Sequence, residues 1–463
     1  MPVKKKQEIK LDITGIAFGG RGIAKVDGFA VFVDGAVPGD TVSARIVKKK
    51  KNYAEARILE VLKPSLDRIE PPCRYSGWCG GCKWQFLKYE RQLQYKESHV
   101  REALEHIAGI TGVTVHPVLC SENVFGYRNK MEFSFSDRRW LLPQELGRTE
   151  IPRDFALGLH VPGTFDKILD IDACLLQPEK GNRILSDVRD IVRSSGLPPY
   201  GLRSHEGFWR FLMLRHSVAE DKWLVNMVTS FENAEALRYI ADFLISTYDD
   251  IAGVVNNITA KKAAVAAGEY EVPVAGRQVL KERLGRFEFE VSANSFFQTN
   301  TRQAEKLYDT VRQYAGLGGR ETVVDLYTGT GTIPIWLSED AGEITGLELV
   351  ESAVADAEKN CRKNGVENCR FIAGDIRKSI SEIDKRPDVM IIDPPRAGMH
   401  KDVVNAVISM SPGKIVYVSC NPATLARDVS MLAEDYRVEE IQPVDMFPHT
   451  YHVEAVARLE KKR

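Results

Sequence analysis

No apolar run in this 463-residue chain reaches the ~18 residues that a membrane-spanning helix needs. The lysines of the opening MPVKKKQEIKLDI are not followed by an apolar h-region, so the segment does not read as a secretory signal. A cytoplasmic protein with no membrane partner is the expectation. Cysteine is sparse, at eight residues, and disulfides are not expected in a reducing compartment. Net charge is also nearly absent, at −1, which hides an asymmetry. Residues 1–130 carry 22 Lys and Arg against 14 Asp and Glu, whereas the rest carries 41 against 50. A basic first third suits a polyanionic partner while an acidic remainder does other work. A run such as Lys48 to Lys51, taken alone, is equally a solvated face.

What is present is an ordinary globular composition, 44% hydrophobic and 27% charged, long enough for several domains. Residues 8–62 alternate in IKLDI, FAVFV and TVSARIV between Gly-rich turns, the pattern of a small β-barrel. Pro64 and Pro71-Pro72 punctuate its end. Three clustered cysteines follow, Cys73, Cys79 and Cys82, and then a helical pattern from about Trp84 to Ile107. Residues 115–290 mix α and β without a repeat. From about Phe287, strands alternate regularly with helices, which predicts a parallel, doubly wound sheet with its ligand beyond the carboxyl ends of the strands. The expected units are 1–64, 65–286 and 287–463.

In the last unit, Asp325-Leu-Tyr-Thr-Gly329-Thr-Gly331-Thr332 has glycines where a backbone turns tightly beside a ligand. It lacks the third spaced glycine of the dinucleotide fingerprint, and no lysine follows to hold phosphate. Glu348, Asp375 and Asp393 end the next three strands. A carboxylate at the end of the second strand can take both ribose hydroxyls. These acids would repel phosphate and suit a cationic, sugar-bearing ligand, with S-adenosylmethionine the obvious candidate.

Five segments occur in order: Phe296-Phe-Gln-Thr-Asn300, the glycine loop, Asp393-Pro-Pro-Arg396, Ser419-Cys-Asn-Pro422, and the stretch from Phe447 to Glu454, FPHTYHVE. Together they resemble the RNA uracil-5-methyltransferases. The resemblance implies a C-terminal Rossmann-like S-adenosylmethionine methyltransferase domain. It also implies an N-terminal TRAM-type, OB-like barrel and a central α+β iron–sulfur domain, an α/β protein overall. Carbon 5 of uracil is a poor nucleophile until a thiolate adds to carbon 6, so the chemistry needs a cysteine and a general base. Cys420 and Glu454 fill these roles by the resemblance. Gln298, Tyr327, Thr332, Glu348, Asp375 and Asp393 would contact S-adenosylmethionine, and Phe296 would stack on a flipped base.

Three thiolates in Cys73-x5-Cys79-x2-Cys82 on a Gly-rich loop read as a metal site. Spacing alone does not separate zinc from a [4Fe–4S] cluster. The resemblance supplies Cys174 as fourth ligand and implies the cluster. Basic and aromatic residues of the barrel (Lys25, Arg45, Lys48 to Lys51, Tyr53 and Arg57) are expected to hold RNA, with Arg128 and Lys130 approaching it. The expected partner is structured RNA, 23S ribosomal RNA before transfer RNA, and no obligate protein partner is evident. Adenine methylation through Asp-Pro-Pro, and a non-catalytic RNA-binding factor, are the rival readings; each leaves Cys420 and Glu454 unexplained.

Overall fold

The computed structural model describes residues 3–383 and 385–463; residues 1 and 2 of the expected first unit lie outside them. Six strands form the N-terminal barrel sheet: Glu8–Asp12, Gly15–Ile16, Gly22–Val26, Phe29–Asp34, Thr41–Lys49 and Tyr53–Lys63. They are arranged in the order first, fifth, sixth, fourth, third, second. Alternate residues Val42, Ala44 and Ile46 of the fifth strand are buried, facing Leu11, Val31 and Val33 in one apolar cluster. The chain leaves the barrel under an ion pair of 2.6 Å between Arg68 and the buried Asp40, whose carboxylate also accepts the Val37 and Ser65 amides.

A second, eight-stranded and largely antiparallel sheet follows, with Lys130–Ser136, Trp209–Ser217, Lys222–Thr229 and Ile251–Ile258 at its centre. The hairpin Val279–Leu284/Phe287–Ser292 leads from it to the third sheet.

The third sheet orders its strands Cys369–Ala373, Glu343–Glu348, Thr322–Leu326, Val389–Ile392, Lys414–Ser419, Glu454–Lys461, Tyr436–Val444 and Thr114–Val115. The first five run parallel, as expected. Glu454–Lys461 runs antiparallel to both neighbours, a departure with a simple cause. Only residues 445–453 separate it from the preceding strand, and a parallel crossover needs about a dozen residues.

Two elements from the 65–286 range belong to this third sheet. Thr114–Val115 pairs in parallel with Tyr436–Val444. Helix Tyr89–Ala103, continued by Leu104–Ala108, packs on helix Pro422–Leu432 and sends Val100 and Leu104 into the sheet's core. Its apolar pattern is weak because its inner face buries Gln92, Lys96 and His99. Among the described residues no helix is long and apolar enough to cross a membrane.

Candidate active site

Strand Thr322–Leu326 has Glu343–Glu348 on one side and Val389–Ile392 on the other. The order of connection reverses there, which opens a crevice at the carboxyl ends. Gly329 and Gly331 both take left-handed backbone angles, φ 56° and 78°. A Cβ on Gly331 would lie 2.9 Å from the Ala357 Cβ, so the loop can pack this tightly only without a side chain. Tyr327 is also left-handed, at φ 68°, a strained position for a non-glycine residue. Glu348 accepts the Gly329 amide and the Val350 amide, both at 3.0 Å. It thereby pins the glycine loop to the end of the second strand.

Two acids, Asp325 and Asp393, lie in or just after the strands that border this crevice. Asp325 is 1% exposed. One of its oxygens accepts the Thr328 hydroxyl at 2.6 Å, and the other has no partner among the described residues. Burial, with the Asp393 and Glu348 charges adding to it, pushes Asp325 up to about 8; burial pushes Asp393 up to about 7. Asp325 was legible only as part of the glycine motif, and its unpaired oxygen is the feature that sequence could not reveal. Tyr308 was missed altogether: its hydroxyl lies 3.1 Å from that of Thr332. The Gln298 carbonyl accepts the Asn129 amide group at 2.9 Å. Asp375 stands apart from this set. It caps helix Ile376–Ser379 and pairs with Arg377, whose hydrogen bond holds it at about 2. Phe296 is 70% exposed, which excludes a core role.

Cys420 and Glu454 are brought together by strand register. Ser419 pairs with Ala455, so the next residue outward on each strand is Cys420 on one and Glu454 on the other. The cysteine turn is stiff. Asn421 caps helix Pro422–Leu432 by accepting the Ala423 amide, and Ser419 Oγ accepts the Asn421 amide at 3.2 Å. The Asn421 amide group and the Thr424 hydroxyl donate to the Arg396 carbonyl, both at 3.3 Å, which ties Asp-Pro-Pro-Arg to the same corner. Burial first, then the Glu454 charge, pushes the Cys420 thiol up to about 11. Burial first, then the Asp393 charge, pushes Glu454 up to about 8, with Arg396 opposing.

The loop 445–453 that delivers Glu454 is anchored in the interior. Lys96 and Asp445, both fully buried, pair at 2.5 Å. Lys96 also donates to the Phe447 carbonyl, and the Tyr89 hydroxyl donates to Asp445 at 2.8 Å. The barrel reaches this loop too. Phe18 meets Tyr451 edge-on at 5.4 Å, and the Trp84 indole donates to the Gly20 carbonyl.

Cys73, Cys79, Cys82 and Cys174 line one cavity of about 360 Å³. Among the described residues no three of His, Cys, Asp or Glu are placed to hold a metal ion. The cavity volume is also far beyond the ~30 Å³ of one water. The Gly81 amide donates to Cys79 Sγ at 3.3 Å. Burial first, then the other cysteines, pushes the Cys79 thiol up to about 12, the behaviour of a thiol set that a cation would relieve. Arg128 and Lys130 line this cavity as well. Without RNA, Lys130 pairs with Glu132 at 2.5 Å, and Arg128 lies over the Phe447 ring. On the barrel, Lys48 pairs with Glu55 and Arg57 covers the Trp78 ring.

Residues 272–462 match the tRNA (uracil-5-)-methyltransferase family and residues 2–59 the TRAM domain. The chain is 44% identical to an uncharacterised RNA methyltransferase of Chlorobaculum tepidum, over 99% of this chain and 97% of that one. It is 41% identical to another of Bacteroides thetaiotaomicron, over 95% and 99%. Among solved structures it is similar to the Pyrococcus abyssi tRNA (uracil-54, C5)-methyltransferase in complex with S-adenosyl-L-homocysteine. That likeness has a TM-score of 0.76 and 29% identity, and covers 97% of this chain and all of that one. With a barrel that matches TRAM and a glycine loop, buried acids and strand-end cysteine within the matched C-terminal region, the chain belongs to the RNA uracil-5-methyltransferase family.

Proposed function

We propose that the protein transfers a methyl group from S-adenosylmethionine to carbon 5 of a uridine in structured RNA. The register that sets Cys420 beside Glu454 is the observation that carries this reading, because the reaction needs one nucleophile and one base at a single carbon–carbon bond. Cys420 adds to carbon 6 and makes carbon 5 an enolate carbon that attacks the methyl group. Glu454 then takes the carbon 5 proton and Cys420 leaves. Gln298, Tyr327, Thr332, Glu348 and Asp393 hold the cofactor. The buried Asp325, with the half-buried Asp393, favours a cationic sulfonium over its neutral product. Asp375 contributes only after its pairing with Arg377 is exchanged. Phe296, exposed beside the crevice, stacks on the extruded base.

Cys73, Cys79, Cys82 and Cys174 would hold a [4Fe–4S] cluster, which would supply structure to the segment between barrel and active site. The reaction above needs no electron transfer. The exposed basic residues of the barrel, Lys25, Lys50 and Lys51 among them, meet the RNA backbone. The substrate is 23S ribosomal RNA on the strength of the barrel together with the cysteine set. A second reading, transfer RNA, is favoured by one observation: the Pyrococcus abyssi neighbour acts on transfer RNA and is similar across 97% of this chain.

Trapping separates these outcomes. The anaerobically purified protein is offered S-adenosylmethionine with 5-fluorouridine-substituted 23S fragments or transfer RNA. Fluorine blocks the last proton removal, so a denaturation-resistant adduct accumulates on the true substrate and disappears in Cys420→Ala. An adduct that persists in Cys420→Ala refutes the nucleophile, and none with either RNA refutes carbon 5 chemistry.

A further inference from the structure

The two reacting side chains rest on different supports. Cys420 ends an interior strand of the sheet and opens a capped helix. Glu454 follows a loop whose course is dictated from outside the sheet. At the centre of that loop His449 takes a left-handed φ of 65°. Its carbonyl accepts two amides, from Lys83 at 2.9 Å and Trp84 at 3.0 Å, the two residues that follow Cys82. Its own amide donates to Gln92 Oε1 at 2.9 Å. Gln92 Nε2 donates to the Trp84 and Leu87 carbonyls at 3.0 and 2.8 Å, so one buried amide side chain bonds both the loop and the strap formed by residues 83–87 after Cys82. The His449 ring stacks on Phe125 at 4.2 Å, and the Tyr127 hydroxyl donates to the Pro448 carbonyl at 3.3 Å.

We propose that this strap from the cysteine-bearing segment sets the position of Glu454, with Gln92 as its positioning residue. The strap therefore governs removal of the carbon 5 proton rather than thiolate addition or methyl transfer. The inference rests on Glu454 being the base. In the step concerned, the C5–H bond breaks and its proton passes to a Glu454 carboxylate oxygen. The electron pair re-forms the C5–C6 double bond, and the C6–S bond breaks to return Cys420 as thiolate. Among the described residues no hydrogen bond joins Lys83, Trp84 or Gln92 to Cys420 or the glycine loop, so the earlier steps are left intact when these bonds are loosened.

The test uses the full-length protein, ordinary uridine RNA and S-adenosylmethionine. Two variants are compared with wild type: Gln92→Leu, which removes the side-chain bonds, and His449→Gly, which keeps the carbonyl and the positive φ but frees the stack. A loosened base lowers turnover by about a hundredfold, the cost of an ångström-scale misplacement. A methylated, denaturation-resistant protein–RNA adduct builds up in the same reaction, and cofactor affinity is unchanged. If turnover and adduct fall together in both variants, or neither changes, the strap does not position the base. Should Gln92→Leu fail to fold, His449→Gly alone decides. Wild-type trapping of 5-fluorouridine RNA, lost in Cys420→Ala, keeps the two ideas apart. If it succeeds and the variants still lose turnover and adduct together, only this inference fails; if it fails, the carbon 5 reading fails and takes the inference with it.

Discussion

Glu454→Gln changes one buried oxygen to nitrogen and separates function from stability in opposite directions. Burial and the Asp393 charge raise this carboxyl from 4.5 to about 8. Ionising it in the folded protein therefore costs up to about 5 kcal/mol more than in the unfolded chain. Below pH 4.5 both states hold the proton and the group is neutral to stability. As pH rises towards 8 the unfolded chain ionises first, so the contribution of this raised acid is progressively lost. The amide has no such dependence. The ligand-free variant is thus expected to match wild type near pH 4 and to exceed it by a few kcal/mol near pH 8.5, read from urea midpoints at unchanged slope. Turnover moves the other way. Loss of the base lowers it by about 10²–10⁴, and a methylated covalent adduct with ordinary uridine RNA accumulates. In wild type only about a tenth of Glu454 is ionised at pH 7, and kcat/KM, which reports the free enzyme, should keep climbing beyond pH 8 because the Cys420 thiol is itself pushed up to about 11. A variant less stable than wild type at high pH, or one that turns over normally, refutes the burial and the role together.

Three further outcomes follow from the same geometry. Lys96→Met leaves Asp445 charged and unpaired in the interior and should cost about 3–5 kcal/mol in chemical denaturation. Cys79→Ser should lower bound iron and visible absorbance per chain, and lower the melting temperature even without RNA; iron retained at the wild-type ratio would exclude the four-cysteine assignment. Replacing Lys25, Lys50 and Lys51 by alanine should weaken RNA binding across sequences and flatten its salt dependence by about 0.7–0.9 for each phosphate no longer neutralised, measured by filter binding over a salt series.

The parts of this molecule legible in its sequence are those where local chemistry and position coincide. The barrel showed itself by alternation. The glycine loop, Glu348, Asp393 and Cys420 lie at the ends of strands that apolar runs made plain. What stayed hidden depends on pairings that residue type and position do not announce. Asp375 reads as a ligand carboxylate, and its pairing with Arg377, two residues on, shows only in the structure. Lys130 reads as an RNA-facing cation, and its pairing with Glu132 and its place on the cysteine cavity show only in the structure. Helix Tyr89–Ala103 gave no hint that it serves the C-terminal sheet, because the face it buries is polar. Its match, Asp445, lies 349 residues away. The antiparallel last pair that sets Glu454 beside Cys420 was likewise disguised, since a short loop betrays strand direction only once both strands are known.

The contact between the barrel and the catalytic loop has a geometric consequence for the choice of substrate. Phe18 rests on Tyr451, Gly20 on Trp84, and His99 contacts the Ile16 carbonyl at 3.1 Å. The barrel is thus built into the wall of the reaction centre and does not swing on a tether. The separation between the basic barrel surface and Cys420 behaves as a ruler with a fixed length. Under the proposed reaction, an RNA would be accepted when its folded shape spans that length with a uridine at the far end. Lengthening or shortening the intervening stem should abolish methylation even when both contacted segments keep their sequence.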